Sequence, residues 1–186
     1  MCGIAGLLLD EINPAAPDWL TAMTQALHHR GPDDGGAVVF GMNGSPAVAR
    51  VLGRPNEAVD WKYVPAKLTL GARRLAIVDL SPAGHQPMSS PDGRVWLVYN
   101  GEIYNHAELR KELVARGMPF VGHSDTEVFL AAYRAWGTDC FAIRRHVGCG
   151  DGRLGGRPAF SFSRPIRHQA AVCHEIRAWH GFCFRD

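Results

Sequence analysis

Long apolar runs are missing from this 186-residue chain. The run Ile4–Leu9 falls far short of the roughly 20 residues a helix needs to cross a bilayer, and no basic leader precedes it, so neither a membrane span nor a secreted protein is expected. Closely spaced cysteines are missing too. The five thiols are an odd number without C-x-x-C pairs, which excludes a disulfide framework and makes a reducing cytoplasm the expected compartment. Charge of one sign is not in excess: the net charge of +2 points neither toward nor away from nucleic acid. There is no internal repeat and no G-x-x-x-x-G-K-[ST] phosphate loop. What remains is ordinary globular composition, 46% hydrophobic and 20% charged, enough for one domain with a core.

The chain is uneven along its length. Residues 1–142 intersperse acids and bases, whereas from Ile143 onward there is no lysine, arginine dominates, and the only acids are Asp151, Glu175 and Asp186. Cys149, Cys173, His174, His180 and Cys183 in this tail lack the tight pair that a zinc site needs, and no metal site is expected.

In the first part, short strands alternate irregularly with helices, which suggests a layered α+β domain. Cys2–Leu9 reads as a buried strand. Pro17–His29 reads as a helix with Trp19, Leu20, Met23 and Leu27 on one face and Gly31 as its stop. Further strands are expected at Ala37–Phe40, Leu68–Ala72, Ala76–Val78 and Val95–Tyr99, with 43–66 as a surface excursion. "NHAELRKELVARG" predicts a helix capped by Asn105 and ended by Gly117. "SDTEVFLAAYRAWG" predicts another, with Ser124 and Glu127 as a capping box and Gly137 as the stop.

Candidate chemistry begins at "MCGIAG". Removal of Met1 would leave Cys2 with a thiol and a free α-amine on one residue, a nucleophile beside a base that titrates at about 7.7–8.0. A buried cysteine opening a strand is the other reading. A nucleophile also needs oxyanion donors and groups that hold the substrate. Asn100 and Gly101, after an apolar strand, offer a side-chain amide and an unobstructed backbone N–H. Arg74 suits a carboxylate. With Ser124 capping the helix, Asp125 is free for an ammonium group, aided by Glu102. Such a set recognises a zwitterion whose side-chain amide faces the thiol, and glutamine is the obvious one.

These segments, "MCGIAG", "HHRGPDDGG", "RRLAIVDLSPAGHQPM", "VYNGEIYNH" and "SDTEVFLAAY", resemble the glutaminase domain of class II glutamine amidotransferases, and within them the glutamine-hydrolysing asparagine synthetases. The resemblance implies an N-terminal-nucleophile hydrolase fold, a four-layer αββα sandwich. It also implies Cys2 as nucleophile, Asn100 and Gly101 as oxyanion donors, and Arg74, Ile77, Val78, Glu102 and Asp125 around L-glutamine, with Ile77 and Val78 resting on resemblance alone. The glutaminase half would need no cofactor. ATP and Mg²⁺ would serve a synthetase domain whose "SGGLDS" loop these residues lack. Full-length relatives are expected as homodimers, which says nothing of this chain.

The resemblance ends near Ala142. A one-base shift lets Arg145–Val147 decode as Gly-Met-Trp, Phe160–Ile166 as Phe-Leu-Ser-Arg-Asp-Arg-Phe, and Arg167–Val172 as Gly-Ile-Lys-Pro-Leu-Tyr, in the order and spacing the family uses. The expected organisation is therefore an incomplete glutaminase domain over 1–142 and an irregular, out-of-frame tail over 143–186 that cannot replace the family's strands. Two functions stay open: a working glutaminase, or an inactive remnant that at most binds glutamine weakly.

Overall fold

The structure is a computed structural model. It describes residues 2–41, 46–51, 61, 64–77, 79–137 and 140, and in the tail 153–154, 157–158, 169–174 and 182–184. Val78 and most of the tail lie outside the described residues.

The first sheet has four antiparallel strands: β1 (Gly3–Asn13), β2 (Asp34–Phe40), β3 (Pro46–Val51) and β4 (Ala66–Arg74), in the order β1-β4-β2-β3. The second contains β5 (Met88–Ser89) and β6 (Val95–Asn100). Two-residue strands β7 (Arg153–Leu154) and β8 (Arg157–Pro158) pair only with each other, whereas β9 (Gln169–His174) and β10 (Phe182–Phe184) complete the second sheet as β10-β9-β6-β5. The helices are α1 (Ala16–Ala26), α2 (His106–Ala115) and α3 (Asp125–Trp136).

Period-2 alternation decides the layers. Val38, Phe40, Leu68, Leu70 and Ala72 turn to one face of the first sheet and meet Val98 and Trp96 of β6 between the sheets. Ala37 and Val39 turn the other way, toward Ala16 and Leu20 of α1 and toward Trp61, and Ala66 joins them where the register of β1 on β4 shifts. Val95, Leu97 and Tyr99, on the outer face of β6, pack on Leu109 and Leu113 of α2 and on Val128 and Phe129 of α3. The result is helix, sheet, sheet, helix, the four layers expected.

Several local expectations need correction. β1 is an edge strand whose side chains are mostly partly exposed, so it is less buried than its composition suggests. Residues 46–51 form β3 on the edge of β2, and Trp61 is buried, so the 43–66 excursion is partly built into the fold. No strand covers Ala76 or Ile77, because β4 ends at Arg74 and the chain turns away. Helix α1 stops at Ala26, and a short 3₁₀ turn follows over His28–Arg30. Its buried stripe is Ala16, Leu20 and Thr24, while Trp19 and Met23 stay exposed: the helix meets the sheet through its smaller side chains. Asn105 occupies the α2 cap position without a capping hydrogen bond. Ser124 Oγ accepts from the Glu127 N–H as a cap should, but the Glu127 carboxylate accepts from the Val121 and Gly122 N–H groups instead of closing a capping box.

One segment of the tail joins the second sheet. β9 pairs with the whole length of β6, from Val95↔His174 to Asn100↔Gln169, so that flank of β6 is occupied. The Gly and Pro that interrupt the tail elsewhere are absent from Gln169–His174, which leaves six residues able to ladder.

Candidate functional site

Antiparallel pairing brings the start of β1 to the end of β4: Gly3 lies opposite Arg73, and Asp34 opposite Arg74. Cys2 therefore sits beside Leu75, partly buried, and the Leu75 N–H donates to its Sγ at 3.4 Å. The thiol in turn faces the Leu75 carbonyl, with Sγ 3.7 Å from its oxygen. The Arg30 Nε–H donates to the Cys2 carbonyl at 3.2 Å and holds Cys2 from the other side. The turn carrying Arg30 can pass this close to β4 only because Gly31 has no side chain: a Cβ there would lie 2.5 Å from the Arg73–Arg74 peptide.

Arg74 is buried, and its guanidinium is already engaged. Nη1 donates to the Ser81 carbonyl at 3.1 Å, and Nη2 donates to the Asp79 carbonyl. Gly84 packs against the same guanidinium, where a Cβ would collide with it. The loop is fastened by Asp79, whose carboxylate accepts from the Ser81 and His123 N–H groups. The Ser81 hydroxyl first, and then the His123 and Ser81 N–H groups, hold the Asp79 carboxyl down at about 2. Ile77 is 72% exposed on the rim, and Glu102, also exposed, accepts from the Tyr104 hydroxyl at 2.9 Å.

Asn100 and Asp125 are the buried pair on the second sheet's side. Asn100 closes β6 at 8% exposure, and among the described residues no hydrogen bond engages its side-chain amide. Gly101 follows it, exposed. Asp125 opens α3, and its Oδ2 accepts from the Ile103 N–H at 3.0 Å. Burial nevertheless pushes its carboxyl up, with Glu102 adding to the rise and the Ile103 and Thr126 N–H groups opposing it.

The two sides are tied by residues that motif reading did not assign a role. His85 Nδ1 meets Asp34 Oδ2 at 2.8 Å on the first sheet. Burial works against the Asp34 carboxylate, but the His85 hydrogen bond and charge outweigh it and bring its pKa below the ordinary value. Gln86 bonds to the Tyr99 backbone on the second sheet. The signal available for both was "GHQPM", which carries polar groups directly ahead of a short strand.

The fold is that of an N-terminal-nucleophile hydrolase scaffold of the amidotransferase type. The chain belongs to the glutamine amidotransferase domain family, which it matches over residues 55–148. It is 35% identical over 139 residues to glutamine-hydrolysing asparagine synthetase 1 of Bacillus subtilis, covering 72% of this chain and 18% of that protein. To asparagine synthetase 3 of the same organism it is 36% identical over 143 residues, covering 75% of this chain and 19% of that protein. The chain thus spans about a fifth of the length of these relatives. Its fold is similar to that of glutamine phosphoribosylpyrophosphate amidotransferase from B. subtilis, with a TM-score of 0.62 and 20% identity, over 94% of this chain and 35% of that one. No helix among the described residues is long and apolar enough to cross a membrane.

Proposed function

We propose that the chain hydrolyses L-glutamine to glutamate and ammonia through a Cys2 thioester. The observation that carries this reading is the Cys2 sulfur at the very start of β1, with the Leu75 N–H directed at it. Once Met1 is removed, the Cys2 α-amine takes the thiol proton and sulfur attacks the amide carbon. Asn100 Nδ2 and the Gly101 N–H receive the developing oxyanion. The amine's proton passes to the leaving nitrogen, and ammonia departs. Water then attacks the thioester, releasing glutamate and restoring the thiol. Asp125 and Glu102 would take the substrate's ammonium group, and the guanidinium hydrogens of Arg74 not given to Asp79 and Ser81 would take its carboxylate, with Ile77 and Val78 beside it.

The ammonia would go to aspartate, by likeness to relatives that bear the name asparagine synthetase. That step would use ATP and Mg²⁺ in a synthetase segment. We place the glutaminase in 1–142 and read 143–186 as out of frame, which sequencing the DNA across codons 138–150 decides.

The prior engagement of Arg74 and the outward Ile77 favour a second reading, a chain that binds glutamine weakly without turnover. Glutamate release by protein whose N-terminus is verified as Cys2, against a Cys2→Ala control, separates the two. Release only with the thiol supports catalysis. Binding without release supports the remnant.

A further inference from the structure

Strand β5 pairs with β6 in a register of Met88↔Leu97 and Ser89↔Trp96, and the Ser90 N–H donates to the Val95 carbonyl. Extended two residues toward the site, that register sets Gln86 opposite Tyr99. The backbone ladder is not continued there. The Gln86 side chain replaces it: the Tyr99 N–H donates to Oε1 at 2.6 Å, and Nε2 donates to the Tyr99 carbonyl at 3.1 Å. A side-chain amide presents one donor and one acceptor as a peptide does, so it closes the ladder with both Tyr99 groups paired. Nε2 also lies 3.3 Å from Thr126 Oγ1, within hydrogen-bond reach. One buried amide thus holds the residue before Asn100 and the residue after Asp125.

We infer that Gln86 is the positioning residue that fixes Asn100 and Asp125 relative to each other, and so sets where the oxyanion and the ammonium of one bound molecule lie. This rests on the proposed glutaminase reading for its catalytic meaning. Its geometric content stands apart: Gln86 joins β6 to α3 at the two positions where polar groups face the site. An ordinary backbone pair at this level would reach Tyr99 alone. The side chain, extended from Gln86, reaches the helix as well. His85, next in the chain, adds a tie to Asp34 on the first sheet, so the same dipeptide spans both sheets.

The test compares the full chain with Gln86→Leu, Gln86→Glu and Thr126→Val. Gln86→Glu keeps an acceptor for the Tyr99 N–H while losing the amide donor, and serves if the leucine variant does not fold. We expect both Gln86 variants to lower kcat for glutamate release by about 10²-fold, as about 1 Å of misplacement does, and to raise KM. Thr126→Val, which loosens only the α3 tie, should raise KM with kcat retained. Alkylation of Cys2 by iodoacetamide should keep its wild-type rate in all three, which general loss of structure would not allow. A second readout needs no turnover: ¹³C titration of the Asp125 carboxyl should shift its midpoint in each variant. If the wild type releases no glutamate, the glutaminase reading fails and that titration alone judges the coupling. An unmoved Asp125 midpoint in folded Gln86 variants overturns the inference, and so does a kcat equal to wild type.

Discussion

On the side of the first sheet, most polar groups of the candidate site are engaged within the chain. Arg74 gives hydrogen bonds to the Asp79 and Ser81 carbonyls, Arg30 holds the Cys2 carbonyl, and the Asp79 carboxylate accepts from two backbone N–H groups. On the side of β6 and α3, the Asn100 amide has no described partner and burial leaves the Asp125 carboxyl raised. Asp79 and Asp125 state the contrast most clearly. Both expose only 7% of their surface, but Asp125 lies deeper in the protein, so desolvation leads there and pushes it up, whereas hydrogen bonds lead at Asp79 and pull it down. A small exposed area alone therefore does not mark a functional carboxylate. What distinguishes Asp125 is that its charge is incompletely compensated, so a cation arriving there gains more than one arriving at Asp79.

The largest effect should come from the one reacting atom. Cys2→Ala should reduce glutamate release to background, on the order of 10⁶-fold below an active parent. Its melting temperature should stay close to that of the parent, because the partly buried thiol contributes little packing. Residual turnover at the parent rate would remove Cys2 from the chemistry and end the comparison at its first term.

Next in size is Asn100→Ala. It should lower kcat by about 10²–10³-fold in the active parent, whereas glutamine affinity, compared with and without Asn100→Ala in a Cys2→Ala background, should be unchanged. A variant with unchanged kcat would mean that the unengaged amide does not meet the oxyanion. Asp125→Asn should act on binding instead. It retains an acceptor for the Ile103 N–H but loses the charge, so KM for glutamine should rise about tenfold or more. Its effect on stability should have the opposite sign. A carboxyl whose folded pKa is raised is penalised once ionised, and that penalty enters as pH rises past the ordinary carboxylate value and is complete above the folded one. The neutral amide carries no such penalty, so the variant should melt at or above the parent temperature at pH 7. A clear drop in melting temperature would class Asp125 with Asp79, as a structural group.

The sequence makes some of this contrast visible and hides the rest. The strand-like runs Ala37–Phe40, Leu68–Ala72 and Val95–Tyr99, set between stretches rich in Gly, Pro, Asp and Asn, mark strands, and the structure keeps all three, with side chains buried on both faces. Ser124 and Gly137 likewise mark the ends of α3 through purely local chemistry. Pairings between distant segments leave no such trace. Nothing local in Pro46–Val51 says that it will find β2, and nothing in Gln169–His174 says that it will find β6. On α1, hydrophobicity points to the face of Trp19 and Met23, while close approach to β4 selects Ala16, Leu20 and Thr24, with Gly71 supplying room on the strand. Motif reading places Cys2, Asn100 and Asp125 among the candidates through their combined chemistry, a thiol beside an α-amine, an oxyanion donor, and a carboxylate left over once Ser124 caps the helix. Gln86 escaped because its role, replacing a peptide in a ladder, depends on a register that the sequence does not print.

The smallest effect belongs to Asp79, and it probes the compensated side of the comparison through pH. Its carboxylate is preferred in the folded chain because the Ser81 and His123 groups donate to the charged form. Folded and unfolded pKa values of about 2 and 3.8 then bound the window. Above the unfolded value the carboxylate is ionised in both states, and its hydrogen bonds contribute in full. As pH falls from 3.8 toward 2, the unfolded chain takes up the proton first, so the contribution fades, and it is gone below the folded value. The difference in melting temperature between the parent and Asp79→Ala should accordingly hold constant from pH 7 to about 5 and shrink below about 4. A ¹³C titration should place the Asp79 midpoint near 2 while that of Asp125 lies above the ordinary carboxylate value. Release of the Asp79–Ala83 loop at low pH would also free the Arg74 guanidinium, since the carbonyls it holds belong to that loop. Coincident midpoints for the two aspartates would erase the distinction between a carboxylate that fastens the site and one that waits for a cation.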